Sequence, residues 1–367
     1  MRARTKRVTN PGSWRRELAG RARNQKDIEH LAATSTDPRA REAAARFPLA
    51  VTPYYLSLID PDDAGDPIAR MVLPDPRELE ATPGLTADPI DEARHAPLPG
   101  VIRRYPDRAL LLVSDDCPAF CRFCTRRVLG AGRLRAVSGD ELDAAVEWIR
   151  RRPEIRDVLV SGGDPLALSD DALSSVLEKL RARTRVDILR LATRAPVTLP
   201  SRVDRALAHR LAAFGPLYVS THFNHPREVT PAARRALAHL ADAGLPLANQ
   251  TVLLRGVNDD AATIEALCRA LLAARVRPYY LFVGDLVAGT GHLRTSIARG
   301  REIVRRLRGR LSGLGIPELV VDLPGGRGKV PVGPDHAVEL TPGRAVLRAP
   351  DGELVEVADA LDDAVRR

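Results

Sequence analysis

Apolar runs of five to eight residues punctuate the second two-thirds of the chain, at 109–113, 157–161, 187–191, 216–221, 247–254 and 278–283. Between them, apolar positions recur at helical spacing near 138–151, 169–183, 200–213, 230–243, 259–275 and 296–312. A strand followed by a helix, repeated at this interval, predicts right-handed parallel βα units. Six units are too few for a closed eight-fold barrel, so the pattern predicts an open, partial TIM-like barrel of the α/β class. A seventh run, Leu319-Val320-Val321-Asp322, leads into the glycine-rich loop Pro324-Gly325-Gly326-Arg327-Gly328. Upstream, residues 1–50 read as helical, and 48–106 is proline-punctuated with one firm apolar segment, Tyr54 to Ile59. Downstream, 334–358 alternates around Pro342-Gly343 and Asp351-Gly352, which predicts short hairpins. The expected division is an amino-terminal helical and irregular lobe (1–95), the partial barrel (96–315) and a β-rich carboxyl-terminal segment (316–367).

In parallel α/β folds, ligands bind beyond the carboxyl ends of the strands. Three of the four cysteines fall there: Cys117, Cys121 and Cys124, in CPAFCRFC just past the first strand. Three thiolates in eight residues can wrap one iron–sulfur cluster, whose usual complement is four protein ligands. With three, one iron is left to bind something else. A structural zinc site would need a fourth nearby ligand, and the histidines are distant in sequence. Cys268 sits in a helical pattern, as a small core residue does. Of the lysines at 6, 26, 179 and 329, only Lys329 follows an apolar strand and a flexible loop.

These residues and their flanks resemble a known family. C-x3-C-x2-C after a strand is similar to the radical S-adenosylmethionine (SAM) superfamily. YPDRALLLVSDDC, CTRR, VSGGDP, STHFNHP, NQTVLLRGVND and PGGRGK resemble the lysine 2,3-aminomutase family, from about Trp14 to about Arg348. The resemblance implies the radical SAM type of partial barrel. It implies a 4Fe–4S cluster on Cys117, Cys121 and Cys124, with SAM and pyridoxal 5′-phosphate (PLP) as further cofactors. Lys329 is the implied PLP lysine, with Tyr105 and Arg108 beside the cofactor and Arg108 on its phosphate. Gly162, Gly163 and Asp164 are implied to hold the amino group of SAM, their glycines permitting close backbone approach. His222 and Gln250 are read as contacts to its ribose or adenine. Arg126 matches the binder of the substrate α-carboxylate. Asp285 and Asp322 match a carboxylate pair around a side-chain ammonium.

The implied activity moves the α-amino group of a basic amino acid to its β-carbon, L-lysine to β-lysine. Arginine also satisfies a carboxylate pair and stays open as substrate, whereas glutamate enzymes do not keep both acids. Two residues depart from the lysine enzymes: Phe123 stands where His is frequent, and Phe282 where Tyr is. The chain has no cysteine after Cys268. The zinc cluster of the better-known members is therefore not expected, and a homo-oligomer is left open.

The net charge is +9, nearly all of it arginine. Arginines alternate with acids on helix faces, and aromatic residues are 4% of the chain, so stacking platforms for bases are scarce. A solvated basic surface is the expected reading; a non-catalytic iron–sulfur or zinc protein on nucleic acid is the rival. No stretch reaches the ~18 apolar residues of a membrane span. The start of the chain lacks a signal-peptide pattern, and the cysteines do not form a disulfide framework. A cytoplasmic enzyme is expected, taking electrons from a donor such as a flavodoxin or ferredoxin.

Overall fold

The structure, a computed structural model, describes residues 13–31, 36–127, 134–341 and 343–358. Its centre is a nine-stranded open sheet in the simple order β1 to β9. The strands are β1 (Val101–Tyr105), β2 (Arg108–Ser114), β3 (Asp157–Gly162), β4 (Ile188–Ala192), β5 (Leu217–Thr221), β6 (Leu247–Leu253), β7 (Arg277–Val283), β8 (Glu318–Asp322) and β9 (Lys329–Pro331). From β2 to β8 every pairing is parallel. The edge strands β1 and β9 pair antiparallel with β2 and β8. Strands buried on both faces read as continuous apolar runs, which is why Leu110 to Val113 and its counterparts were legible.

The crossovers are α5 (Gly139–Arg150), α6 (Asp170–Arg183), α8 (Arg205–Ala212), α9 (Pro231–Asp242), α10 (Ala261–Ala273) and α11 (Ile297–Leu307). A short helix, α7 (Ala195–Thr198), precedes α8. Each crossover buries one stripe; α6 turns Leu173, Val176, Leu177 and Leu180 inward. Side-chain oxygens of Ser169, Asp204, Thr230, Asp260 and Ser296 accept from backbone N–H groups at the starts of α6, α8, α9, α10 and α11. Two helices are shorter than their periodicity predicts. Residues 200–202 form a separate 3-10 turn opened by Pro200, so α8 starts only after the Asp204 cap. At the other end α11 stops at Leu307, ahead of Gly309 in a left-handed conformation.

The amino-terminal lobe holds α1 (Ser13–Ala19), α2 (Pro38–Arg46), α3 (Pro53–Leu56) and α4 (Pro67–Val72). The last three open on proline, each preceded by a capping Asp37, Thr52 or Asp66. Ile28, Tyr55, Ile68 and Met71 join the same buried cluster as Leu111, Val158 and Val219 of the sheet. A separate sheet, β10 (Ala337–Thr341), β11 (Arg344–Arg348) and β12 (Leu354–Ala358), forms two antiparallel pairings. The second connection turns at Asp351-Gly352, as expected; Pro342 of the first lies outside the described residues, as does Lys6.

The lobe grips the loop that follows β2. Phe120 N–H donates to Ala50 O (2.8 Å) and Arg122 N–H to Met71 O (2.8 Å). Arg122 is fully buried, and its Nε and Nη2 donate to the two carboxylate oxygens of Glu78 at 2.8 and 2.5 Å. Removing one member of such a pair strands the other charge in a low-dielectric interior. Glu78→Ala should therefore cost about 3–5 kcal/mol. Glu42, exposed and, among the described residues, paired with Arg46 alone on α2, should cost under about 1 kcal/mol as Ala. Denaturant unfolding of the two variants checks the contrast; equal losses would remove the anchoring role of Glu78.

Candidate active site

The cysteine loop, 117–124, has no regular structure of its own. Asp116 takes a bidentate contact from Arg21, whose guanidinium also donates to the Cys117 carbonyl. Glycines 162 and 163, at the end of β3, press against the loop's root. A Cβ on Gly162 would stand 2.2 Å from Ser114 O, and one on Gly163 2.4 Å from Asp116 O. Gly162 also sits at φ +133°, a conformation L side chains rarely adopt. The N–H groups of Gly163 and Asp164 donate to Ser114 O (2.5 Å) and Asp116 O (2.7 Å). The close approach these glycines permit is thus protein on protein.

The three thiols act on one another electrostatically. Burial pushes the Cys117 thiol well up, reinforced by the charges of Asp164, Cys124 and Cys121. Cys124 is pushed up to about 11, again by burial first and then by Cys121. Such thiols ionise when a metal centre supplies the compensating charge. Among the described residues, no three His, Cys, Asp or Glu side chains converge on one ion-sized point. Three thiol donors on one loop are the ligand type that holds an iron–sulfur cluster.

Asp164 is buried, and its carboxylate accepts from Thr193 Oγ1 (2.7 Å), Arg194 N–H (2.7 Å) and Leu166 N–H (2.9 Å). It thereby fixes the turn after β4. From that turn Arg194 donates to Cys121 Sγ (2.9 Å), Tyr55 Oη (2.8 Å) and Glu228 Oε1 (2.7 Å). His222, at the end of β5, lies 5.5 Å from the Phe123 ring, centroid to centroid. Burial and the nearby Arg194 lower its pKa to about 3, so the ring is neutral. Among the described residues, its buried Nε2 has no hydrogen-bond partner. A buried polar nitrogen of this kind beside the cysteine loop fits a ligand that brings its own donor or acceptor. Gln250 is half-buried on β6, alternating with the buried Asn249 and Thr251.

Across the open seam, β1 meets β8 and β9. Tyr105 Oη accepts from Lys329 N–H at 2.7 Å. Lys329 Nζ donates to Asp322 Oδ1 at 3.2 Å and lies 5.4 Å from the centre of the Phe282 ring. Arg104 reaches the same Asp322 oxygen at 3.4 Å. Asp285 accepts from Thr125 Oγ1, immediately after Cys124. Burial raises its pKa, and the neighbouring Asp322 raises it further. Arg108 stacks over the Tyr105 ring at 4.5 Å and pairs with the exposed Asp107, one step back from Lys329. The seam thus gathers a primary amine, two carboxylates, a tyrosine hydroxyl and two guanidinium groups, donors that suit an aldehyde-bearing phosphate ester.

Three arginines leave the cysteine loop, and their bonding separates them. Arg122 spends its side edge on Glu78 and Nη1 on Phe47 O at 2.8 Å. Arg127 gives Nη2 to Glu78 and Nη1 to Arg122 O and Gly289 O. Arg126 donates Nε and Nη2 to the buried Glu92, both at 3.0 Å. Among the described residues, its Nη1 makes no hydrogen bond, so the end edge of the guanidinium stays open. Arg126 also feels the charges of Cys124 and Asp285.

Residues 111–267 match the Radical SAM superfamily, and residues 304–360 match the family described as Lysine-2,3-aminomutase. The first match begins within β2 and takes in the cysteine loop; the second contains Lys329 and the small sheet. The fold and site therefore define a radical SAM enzyme, a membership that implies SAM and an iron–sulfur cluster. The chain is 46% identical to an L-lysine 2,3-aminomutase of Fusobacterium nucleatum, over 83% of this chain and 72% of that protein. It is 43% identical to one of Clostridium subterminale, over 86% and 76%. A glutamate 2,3-aminomutase of Clostridioides difficile is 41% identical, over 87% and 75%. The chain belongs to the lysine 2,3-aminomutase family.

Sequence reasoning missed Arg104, Arg194, Glu78 and Glu92. A signal existed for Arg194, which directly follows a strand end, where such folds place their ligands. Glu78 and Glu92 lie in the proline-punctuated stretch, where no periodicity announces an inward-pointing acid. If the glycine contacts hold the loop's shape, Gly162→Ala should lower the iron retained per chain after anaerobic reconstitution by several-fold. Iron and sulfide assays check this; full iron content in that variant would contradict it.

Proposed function

We propose that the chain is a SAM- and PLP-dependent 2,3-aminomutase that converts L-lysine to β-lysine. One observation carries the reading: Lys329 pairs with Asp322, Asp285 feels the charges of both, and Arg126, just past the last cysteine, feels those of Asp285 and Cys124. Cys117, Cys121 and Cys124 would hold a 4Fe–4S cluster. His222, Gln250 and the 162–164 loop would border SAM. Lys329 would carry PLP, with Tyr105, Arg104 and Arg108 around it and the guanidinium groups on its phosphate. When bound, these cofactors supply one-electron cleavage of SAM and the delocalised ring that lets an amino group migrate.

The chain's own residues select and orient the substrate. The end edge of Arg126 would donate a bidentate pair of hydrogen bonds to the α-carboxylate. At the far end of the substrate, Asp285 and Asp322 face its ammonium. Asp322 already holds one primary ammonium, that of Lys329, at 3.2 Å; with Lys329 engaged by PLP, the carboxylate would be available to the ammonium of the substrate. An acidic side chain would meet two like charges, a repulsive element that disfavours glutamate. An external donor such as a flavodoxin or ferredoxin would supply the electron.

With SAM, dithionite and reconstituted enzyme, L-lysine should give β-lysine faster than arginine, glutamate or alanine gives its own β-isomer. Faster conversion of arginine or glutamate would overturn the substrate assignment. Asp322→Asn should raise KM for lysine at least roughly tenfold, since it unpairs a desolvated ammonium; an unchanged KM would count against the carboxylate pair. Because the Asp285 pKa is raised, lysine affinity should weaken as pH falls through a value above the ordinary carboxylate range. A pH profile of KM reads this directly, and Asp285→Asn should flatten that limb. Borohydride should trap PLP on the wild-type chain and not on Lys329→Ala.

A further inference from the structure

Glu92 is nearly fully buried, at 2% exposure, and both its oxygens face Arg126. A guanidinium has a side edge, from Nε and one Nη, and an end edge, from the two Nη groups. Glu92 occupies the side edge. The end edge then carries two parallel N–H vectors whose direction is set by the protein. A free arginine samples many rotamers and must be ordered on binding; one locked by a buried carboxylate is ordered beforehand. The cost is a partly neutralised guanidinium, so the arrangement trades raw attraction for aim.

Glu92 is itself held from two sides. The Asp88 carboxylate accepts from Glu92 N–H and Ala93 N–H, each at 2.9 Å. Asp91, directly before it, takes a left-handed backbone at φ 54°. The same segment meets the turn ahead of Lys329. Gly325 N–H donates to Pro89 O at 3.2 Å, and a Cβ on Gly326 would stand 2.3 Å from His95 Nε2. Residues 88–96 therefore touch both the arginine on the cysteine loop and the loop that carries the reactive lysine.

We infer that Glu92 is a positioning residue that aims the end edge of Arg126 at the substrate carboxylate and keeps it in register with Lys329. This rests on the carboxylate role proposed for Arg126. The decisive comparison is between L-lysine and 1,5-diaminopentane, which keeps both amines and lacks the carboxylate. Equilibrium dialysis of each on PLP-loaded protein, without SAM or reductant, reads affinity apart from turnover. Glu92→Gln should bind lysine on the order of tenfold more weakly and the diamine as wild type does. Glu92→Asp, which keeps the charge but shortens the reach, should fall between. Equal weakening for both ligands in both variants would make Glu92 a general structural residue and overturn the inference. Arg126→Lys separates the two levels. Wild-type lysine affinity in Arg126→Lys removes the carboxylate role and the inference with it. A loss there with none in Glu92→Gln leaves the role standing and removes only the positioning.

Discussion

A loop with no ladder of its own must hold three thiols in a fixed arrangement, and charge pairs, most of them buried, do the holding. Arg21 meets the half-exposed Asp116 ahead of the first cysteine, Glu78 takes Arg122 and Arg127, and Glu92 takes Arg126. The acids at 78 and 92 come from the amino-terminal lobe; Arg122 lies between Cys121 and Cys124, and Arg126 and Arg127 follow the last cysteine. Burying a charge is costly unless it is paired in good geometry. A displaced loop would strand several such charges at once, so the pairs specify one conformation even where each adds little net stability.

Order spreads outward from that loop. Gly162 and Gly163 dock β3 against its root, and Asp164 passes the constraint to Thr193 and Arg194 after β4. Arg194 returns it to Cys121 and ties in Tyr55 and Glu228. On the other side, Thr125 reaches Asp285, and Asp322 ties β8 to Lys329 and Arg104. The cysteine loop and the lysine seam thus meet at Asp285, which bonds Thr125 and feels the charges of Asp322 and Lys329, with the sheet as rigid backing.

The sheet was legible because buried parallel strands read as apolar blocks and crossover helices as stripes with polar caps. β1 escaped notice: Val101-Ile102-Arg103-Arg104-Tyr105 is a short edge strand of mixed polarity among prolines, and its partner β2 alone looks like the start of the barrel. That strand supplies Tyr105, which the family resemblance picked out, and Arg104, which was hidden with it. The cysteines and Lys329 stood out by spacing and scarcity. Glu78 and Glu92 did not, since an isolated acid in an irregular stretch carries no sign of whether it points inward. Asp164 was expected to face a ligand, and its carboxylate is instead engaged with three donors of the protein.

The proposed function needs two cofactor cradles in one protein, one on the cysteine loop and one where β1 meets β8 and β9. Anomalous diffraction from crystals of the reconstituted protein, collected to locate iron and the PLP phosphorus, tests this most directly. Iron bound by Cys117, Cys121 and Cys124, with phosphorus beside Arg104 and Arg108, is the predicted result. Iron away from those three thiols, or phosphorus outside the seam, would contradict it.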